Sequence, residues 1–192
     1  MDTFKILEYI GVALWVVYLT LAVQEKIACW IFGILASCIT IVNFYHSKIY
    51  SEALVNCYYV FAGAYGWYNW SRHQKENKSA RVPVQVWSLS RHIVFYVATA
   101  LVALTWGIVM HRHTDSPKPY IDATTAAFSF LTTYMEARKV LTTWLNWFVI
   151  NLCLVYLQVD RHIPLYAGLS AFFALMSIRG YFKWRQTWLL SK

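Results

Sequence analysis

The chain predicts an all-α polytopic membrane protein: seven transmembrane helices set out as two parallel three-helix repeats around a linker helix (3+1+3). Composition, seven apolar runs and an internal repeat predict it. Of 192 residues, 59% are hydrophobic and 14% charged, with a mean hydropathy of +0.42. A soluble domain carries about 25% charged and about 45–50% apolar residues. One of this size still leaves roughly a third of its surface in water, so the apolar excess has no soluble core to fill. A water-soluble enzyme and a disordered chain are therefore excluded.

A membrane helix needs about 20 mainly apolar residues to cross about 30 Å of hydrocarbon. Such runs cover residues 6–23, 27–45, 50–70, 92–110, 120–137, 143–159 and 163–184, with polar residues diluting the first and fifth. The first run reads as retained, because Met1 and Asp2 supply no basic leader and no A-x-A site follows. Residues 71–91 form the long connection, and their Lys, Asn, Ser and Pro mark a cytoplasmic linker.

A shift of 114 residues lays the first three runs over the last three without a gap. Trp30 then meets Trp144, Gly66 and Trp70 of GWYNW meet Gly180 and Trp184 of GYFKW, and Ile49, Ala53 and Ala13 meet Ile163, Ala167 and Ala127. Acidic Glu8 meets acidic Asp122. These six identities agree with the run boundaries, and an odd-numbered repeat places both copies in the same direction across the membrane. The predicted units are 1–70 (first repeat), 71–119 (linker and linker helix) and 120–192 (second repeat and tail). Such repeats suit a transporter with a central site and count against a seven-helix receptor.

Lys5, Lys48, Arg112, Lys118 and Arg161 fall on one side of the membrane. Lys26, Arg72, Lys75, Lys78, Arg81, Arg91, Arg138, Lys139, Lys183, Arg185 and Lys192 fall on the other. Five against eleven puts the N-terminus outside and the C-terminus in the cytoplasm. The net charge of +8 is thus a topology signal split among short loops, and no nucleic-acid partner is expected. Cys29, Cys38, Cys57 and Cys153 lie inside spans without C-x-x-C spacing and read as small buried apolar residues. His111 and His113 read as polar loop residues, and neither metal nor cofactor is expected.

Amides and charges at membrane depth should face the bundle interior. That rule selects Asn43, Asn56, Asn151 and Gln158, with Glu136 and Asp122 on the fifth span. In TTWLNWFVINLCL, Trp144, Trp147 and Asn151 stand at i, i+3 and i+7 and share one helix face. Two indoles and an amide on one stripe offer stacking, a cation–π surface and hydrogen bonds to a flat, hydroxylated or cationic heterocycle. Trp147 and Asn151 are read as ligand residues, and Trp144 divides evenly between that role and an interfacial belt. Trp70 and Trp184, at span ends near arginines, read as belt anchors. Asn56 serves equally as interhelical glue. Tyr58 and Tyr59 point to different sides of their helix, so one of them at most reaches a given cavity, and Tyr59 is assigned to it. For Glu136 a surface ion pair with Arg138 or Lys139 is the simpler expectation, and for Asp122 a helix cap.

The segments YSEALVNCYYVFAGAYGWYNW, PYIDATTAAFS, ARKVLTTWLNWFVIN and GYFKW resemble the PnuC family of vitamin and cofactor-precursor transporters over nearly the whole chain. The W-x-x-W-x-x-x-N pattern of Trp144, Trp147 and Asn151 is similar to that family's second-repeat signature. The resemblance implies a SWEET-like 3+1+3 fold in the bacterial inner membrane. It also implies facilitated uptake of nicotinamide riboside, with metabolic trapping by a cytoplasmic kinase. Thiamine is the alternative substrate within the family. A ligand-binding membrane sensor is the alternative of another class, and homo-oligomer formation is left open. The sequence has neither G-x-x-x-x-G-K nor G-x-S-x-G, so neither ATP-driven transport within the chain nor hydrolase chemistry is expected.

Overall fold

The computed structural model describes residues 3–47, 50–76, 82–114 and 116–191. Lys48, Lys78, Arg81 and Lys192 of the orientation argument, Ile49 of the repeat, and Met1 and Asp2 lie outside the described residues. Among the described residues there are seven helices: α1 (Thr3–Val23), α2 (Cys29–His46), α3 (Tyr50–Glu76), α4 (Leu89–His113), α5 (Pro119–Ala137), α6 (Thr143–Asp160) and α7 (Pro164–Leu190). One helix stands where each apolar run predicts it. His111 and His113 belong to the last turn of α4 rather than to a loop.

Four helices, α1, α2, α4 and α7, are by themselves long and apolar enough to cross a membrane. The first run, expected to be diluted, is among them. The fifth is polar for a structural reason: α5 is enclosed by neighbours and buries Asp122, Thr125, Ser129, Thr132, Thr133 and Glu136. A helix shielded from lipid by other helices can carry polar groups that find protein partners. By contrast α4 lies outside, packed on α5 through Ala103, Gly107 and Met110 and exposing Val94, Val97, Leu101 and Val109 to the lipid side.

The remaining six helices close a ring. Contacts run α1–α2–α3, cross to α5, continue α5–α6–α7 and return from α7 to α1. Under the 114-residue shift the bounds of α2 and α3 coincide with those of α6 and α7.

The same shift relates the turns after α1 and α5. Glu25 N donates to Ala22 O and Lys26 N to Leu21 O, each at 3.0 Å. Lys139 N donates to Glu136 O at 2.8 Å and Val140 N to Met135 O at 2.9 Å. This is a helix-ending turn that normally takes glycine at its left-handed position. Here Glu25 (φ 61°) and Lys139 (φ 55°) occupy it, which costs about 1–2 kcal/mol each. Their side chains offset that cost by meeting: Lys139 Nζ donates to Glu25 Oε2 at 2.6 Å and to Val82 O at 2.9 Å, and Thr187 Oγ1 donates to Glu25 Oε1 at 2.6 Å.

Beneath this ion pair four tryptophans pack together, edge to face in the outer two pairs and tilted in the middle one. Trp30 and Trp70 have ring centroids 5.4 Å apart, Trp70 and Trp184 6.1 Å, and Trp144 and Trp184 5.2 Å. Trp70 Nε1 donates to Ala137 O and Trp184 Nε1 to Ala22 O, so each joins its helix to the end of the opposite helix triplet. The expectation that Trp70 and Trp184 anchor an interfacial belt is therefore corrected. α3 and α7 run on past them to Glu76 and Leu190, so neither tryptophan sits at a helix end, and both are buried. Trp30 lies against Gly66 and Trp144 against Gly180, where an added Cβ would stand 2.5 Å from the indole carbons.

Part of the linker is packed, and one further expectation, on the cysteines, is corrected. Within the linker Val82, Val84 and Trp87 are buried, and Gln85 pairs with the α5–α6 turn through Gln85 N→Lys139 O (2.8 Å) and Leu141 N→Gln85 O (2.9 Å). Its alternating apolar residues pack on that turn. Of the four cysteines, Cys29 alone is buried, and Cys38 faces outward. A thiol is apolar enough to face lipid, so position within a span does not set its burial.

Gly180→Ala should destabilise the protein by about 1–3 kcal/mol, because the enclosed Trp144 ring has nowhere to move. Thermal unfolding in detergent reads this as a lowered midpoint, whereas Gly168→Ala, where a Cβ meets nothing within 4 Å, should leave it near wild type. Lys139→Met strands the buried Glu25 carboxylate and should cost about 3–5 kcal/mol. The double variant Glu25→Met with Lys139→Met should recover much of that loss in the same measurement.

Candidate functional site

The ring encloses one cavity of about 110 Å³, several times what a water needs. All six ring helices line it, α5 through Thr133. Its aromatic wall is a T-shaped cluster centred on Trp15. Trp15 lies 5.4 Å from Tyr18, 6.0 Å from Tyr59 and 6.2 Å from Phe173, and Tyr59 lies 6.4 Å from Trp147. Trp15 Nε1 donates to Thr40 Oγ1 at 3.0 Å, fixing the indole plane. Amides and hydroxyls complete the lining: Asn56, Asn151, Gln158, Ser37, Thr40 and Ser170. Among the described lining residues Glu52 is the one carboxylate, and none is basic.

Helix geometry explains how the amides come to point inward. On α6, Trp147, Asn151, Leu154 and Gln158 recur every three or four residues and present one stripe to the cavity. Asn151 Nδ2 donates to Trp147 O at 2.7 Å, one turn back. Asn56 Nδ2 does the same to Glu52 O at 2.8 Å, leaving Asn56 Oδ1 buried without a hydrogen-bond partner. Gln158 Oε1 accepts from Ser170 Oγ at 2.8 Å.

The sequence-selected residues divide in two. Trp147, Asn151, Asn56 and Tyr59 line the cavity together, and Gln158 joins them. Tyr58, on the other side of α3, turns to α5 and donates to Phe130 O at 2.9 Å. Trp144 stands outside the lining, within the tryptophan cluster against Gly180. Asn43 is buried beside the cavity rather than in its wall.

The structure overturns the surface ion pair expected for Glu136. The side chain is 1% exposed and bonds neither Arg138 nor Lys139. The left-handed turn at Lys139 swings that ammonium to Glu25, while Arg138 Nη1 donates to Tyr65 Oη at 3.3 Å. Glu136 instead accepts from Tyr18 Oη (2.7 Å, on Oε1) and from Trp147 Nε1 (2.8 Å, on Oε2), both side chains of the cavity wall. Asp122 does not cap α5 either. It is paired with Arg161 at 2.5 Å and accepts from Ser116 Oγ at 2.7 Å.

At this end Arg161 also reaches Glu52 at 3.6 Å, tying α3, α5 and the α6–α7 turn around the cavity. Outside it, Lys118 forms an ion pair with Asp160 at 2.7 Å, and that hydrogen bond raises the lysine above its ordinary value.

Sequence reasoning passed over Trp15, Tyr18, Glu52 and Phe173. The i, i+3 spacing of Trp15 and Tyr18 was a usable signal, since it puts two rings on one face of α1. Glu52 offered a weaker one, an acid within the first turn of a span.

A closed ring of membrane helices around a chamber lined by rings and amides defines a multi-pass membrane protein with a central solute site. The fold matches the solved structure titled "Crystal structure of the Vitamin B3 transporter PnuC" with a TM-score of 0.83. That match covers 97% of this chain and 83% of the other, at 17% identity. The chain belongs to the nicotinamide mononucleotide transporter family, whose model matches residues 5–186, and it is a membrane transporter. It is similar to the nicotinamide riboside transporters PnuC of Escherichia coli (strain K12) and Shigella flexneri. Each is 25% identical over 168 residues, covering 76% of this chain and 70% of the relative.

Proposed function

We propose that this chain mediates facilitated uptake of nicotinamide riboside across a bacterial inner membrane, with the N-terminus outside and the C-terminus in the cytoplasm. The family is described by a mononucleotide and the relatives by a riboside. The observation that favours the riboside is the cavity lining: aromatic rings, amides, hydroxyls and Glu52, with no Lys or Arg. A phosphate is recognised by arginine, lysine or a helix N-terminus, and a dianion beside Glu52 would be repelled. Nicotinamide riboside carries a pyridinium cation, a carboxamide and ribose hydroxyls. The pyridinium stacks on Trp147, Tyr59 or Trp15, and the amides of Asn151, Asn56 and Gln158 bond the rest.

In this reading residues 1–70 and 120–192 are parallel repeats that rock against each other, with 71–119 as linker and linker helix. The matching turns and Trp–Gly contacts 114 residues apart support it. No energy input is used. A kinase in the cytoplasm traps the substrate by adding a phosphate that the cavity does not accept.

Purified protein in liposomes should equilibrate labelled nicotinamide riboside, and should accumulate it beyond equilibrium when a riboside kinase and ATP are enclosed. Uptake of thiamine instead would move the assignment to the alternative substrate. Binding without uptake of either would point to a sensor. Trp147→Ala and Asn151→Ala should each weaken binding on the order of tenfold, from lost stacking or a lost amide bond of about 1.4 kcal/mol. Calorimetry checks this, and unchanged affinity in both variants would contradict the site.

A further inference from the structure

We infer that Glu136 is the buried counter-charge that makes this transporter select a cationic ring, acting through Tyr18 and Trp147 rather than by direct contact. The inference rests on the riboside reading above. Glu136 is enclosed, yet no Lys, Arg or His forms an ion pair with it among the described residues. Lys139, three residues on, is committed to Glu25 and to Val82 O. Its partners among the described residues, Tyr18 Oη and Trp147 Nε1, are neutral donors, one on each carboxylate oxygen. A carboxylate withdrawn from water without a cation takes up a proton unless donors hold it in the charged form, and Glu136 has such a donor on each oxygen. Held so behind the wall of the central cavity, it leaves room for a positive charge that something else must bring.

The placement says where that charge arrives. Tyr18 and Trp147 each turn their polar hydrogen away from the cavity to Glu136 and present the ring to the cavity. Donation to an ionised acceptor polarises both rings toward their faces, which strengthens their attraction for a cation. The carboxylate's own field crosses only one ring's width of protein, where little water screens it. The same two hydrogen bonds lock the ring planes, so Glu136 is a positioning residue as well as a charge. The second nearby acid, Glu52, shares Arg161 with Asp122, whereas Glu136 has no cation among the described residues. Glu136 therefore carries the discrimination, and the sequence alone could not assign it, because Arg138 and Lys139 stand beside it in the chain.

The test separates charge from shape. Nicotinamide riboside is a cation, and its 1,4-dihydro form is an uncharged ring of nearly the same outline with the same carboxamide and ribose. Calorimetry on the purified full-length protein should show the cation bound at least tenfold more tightly. Glu136→Gln should weaken the cation on the order of tenfold while changing the dihydro form less than about threefold. Equal weakening of both ligands would reduce Glu136 to a structural prop and overturn the inference. So would a wild type with no preference between them, a measurement that needs no variant to fold. A wild type that binds neither riboside overturns the substrate reading and this inference with it.

Discussion

An indole laid flat on a glycine lets two helices approach no further and slide no distance without a clash. Trp30 on Gly66 and Trp144 on Gly180 impose that constraint twice, 114 residues apart, at the same end of the ring. Trp70 and Trp184 bridge them and bond the carbonyls of Ala137 and Ala22 in the last turns of α5 and α1. Above them the Glu25–Lys139 pair fastens the two left-handed turns to each other. The rest of the architecture depends on this closure. It brings α1 against α7 and α3 against α5, turns two helix triplets into a ring, and seals one end of the cavity. It also concentrates desolvated charge and large rings where a small displacement is expensive.

Most of the fold was legible in the sequence, and the reason is physical. Lipid demands long apolar helices, so the runs mark their own boundaries. The 114-residue shift paired Trp30 with Trp144 and Gly66 with Gly180 as equivalent positions, but it did not show that each indole packs on its own repeat's glycine. What was not legible is which way a polar or amphipathic side chain faces once helices surround it. Trp70 and Trp184 carried every mark of interfacial anchors and are core residues, because their helices continue beyond them. Glu136 looked paired with the basic residues next in line, but a left-handed φ at Lys139 sends that ammonium elsewhere. The cavity was half visible. The amide-and-indole stripe on α6 follows from helical periodicity, which places Trp147 and Asn151 on one face. The opposing wall of Trp15, Tyr18, Tyr59 and Phe173 comes from three other helices, and only tertiary packing brings them together.

The two ends of the ring differ in chemistry. One is dry and fastened by an ion pair beneath buried linker residues. The other is held by Arg161 between Asp122 and Glu52, the second of which faces the cavity. Between them lie rings with their polar hydrogens directed into the protein and amides directed into the chamber. Such a surface offers stacking faces and hydrogen bonds to a flat, hydroxylated ring, and none of its described lining residues is basic.

That contrast is also the most direct test of the account. Calorimetric titration of the purified protein with nicotinamide riboside and with nicotinamide mononucleotide compares two ligands that differ by one phosphate. A cavity without a basic lining residue predicts that the riboside binds at least tenfold more tightly. Mononucleotide binding of equal or greater strength would contradict it.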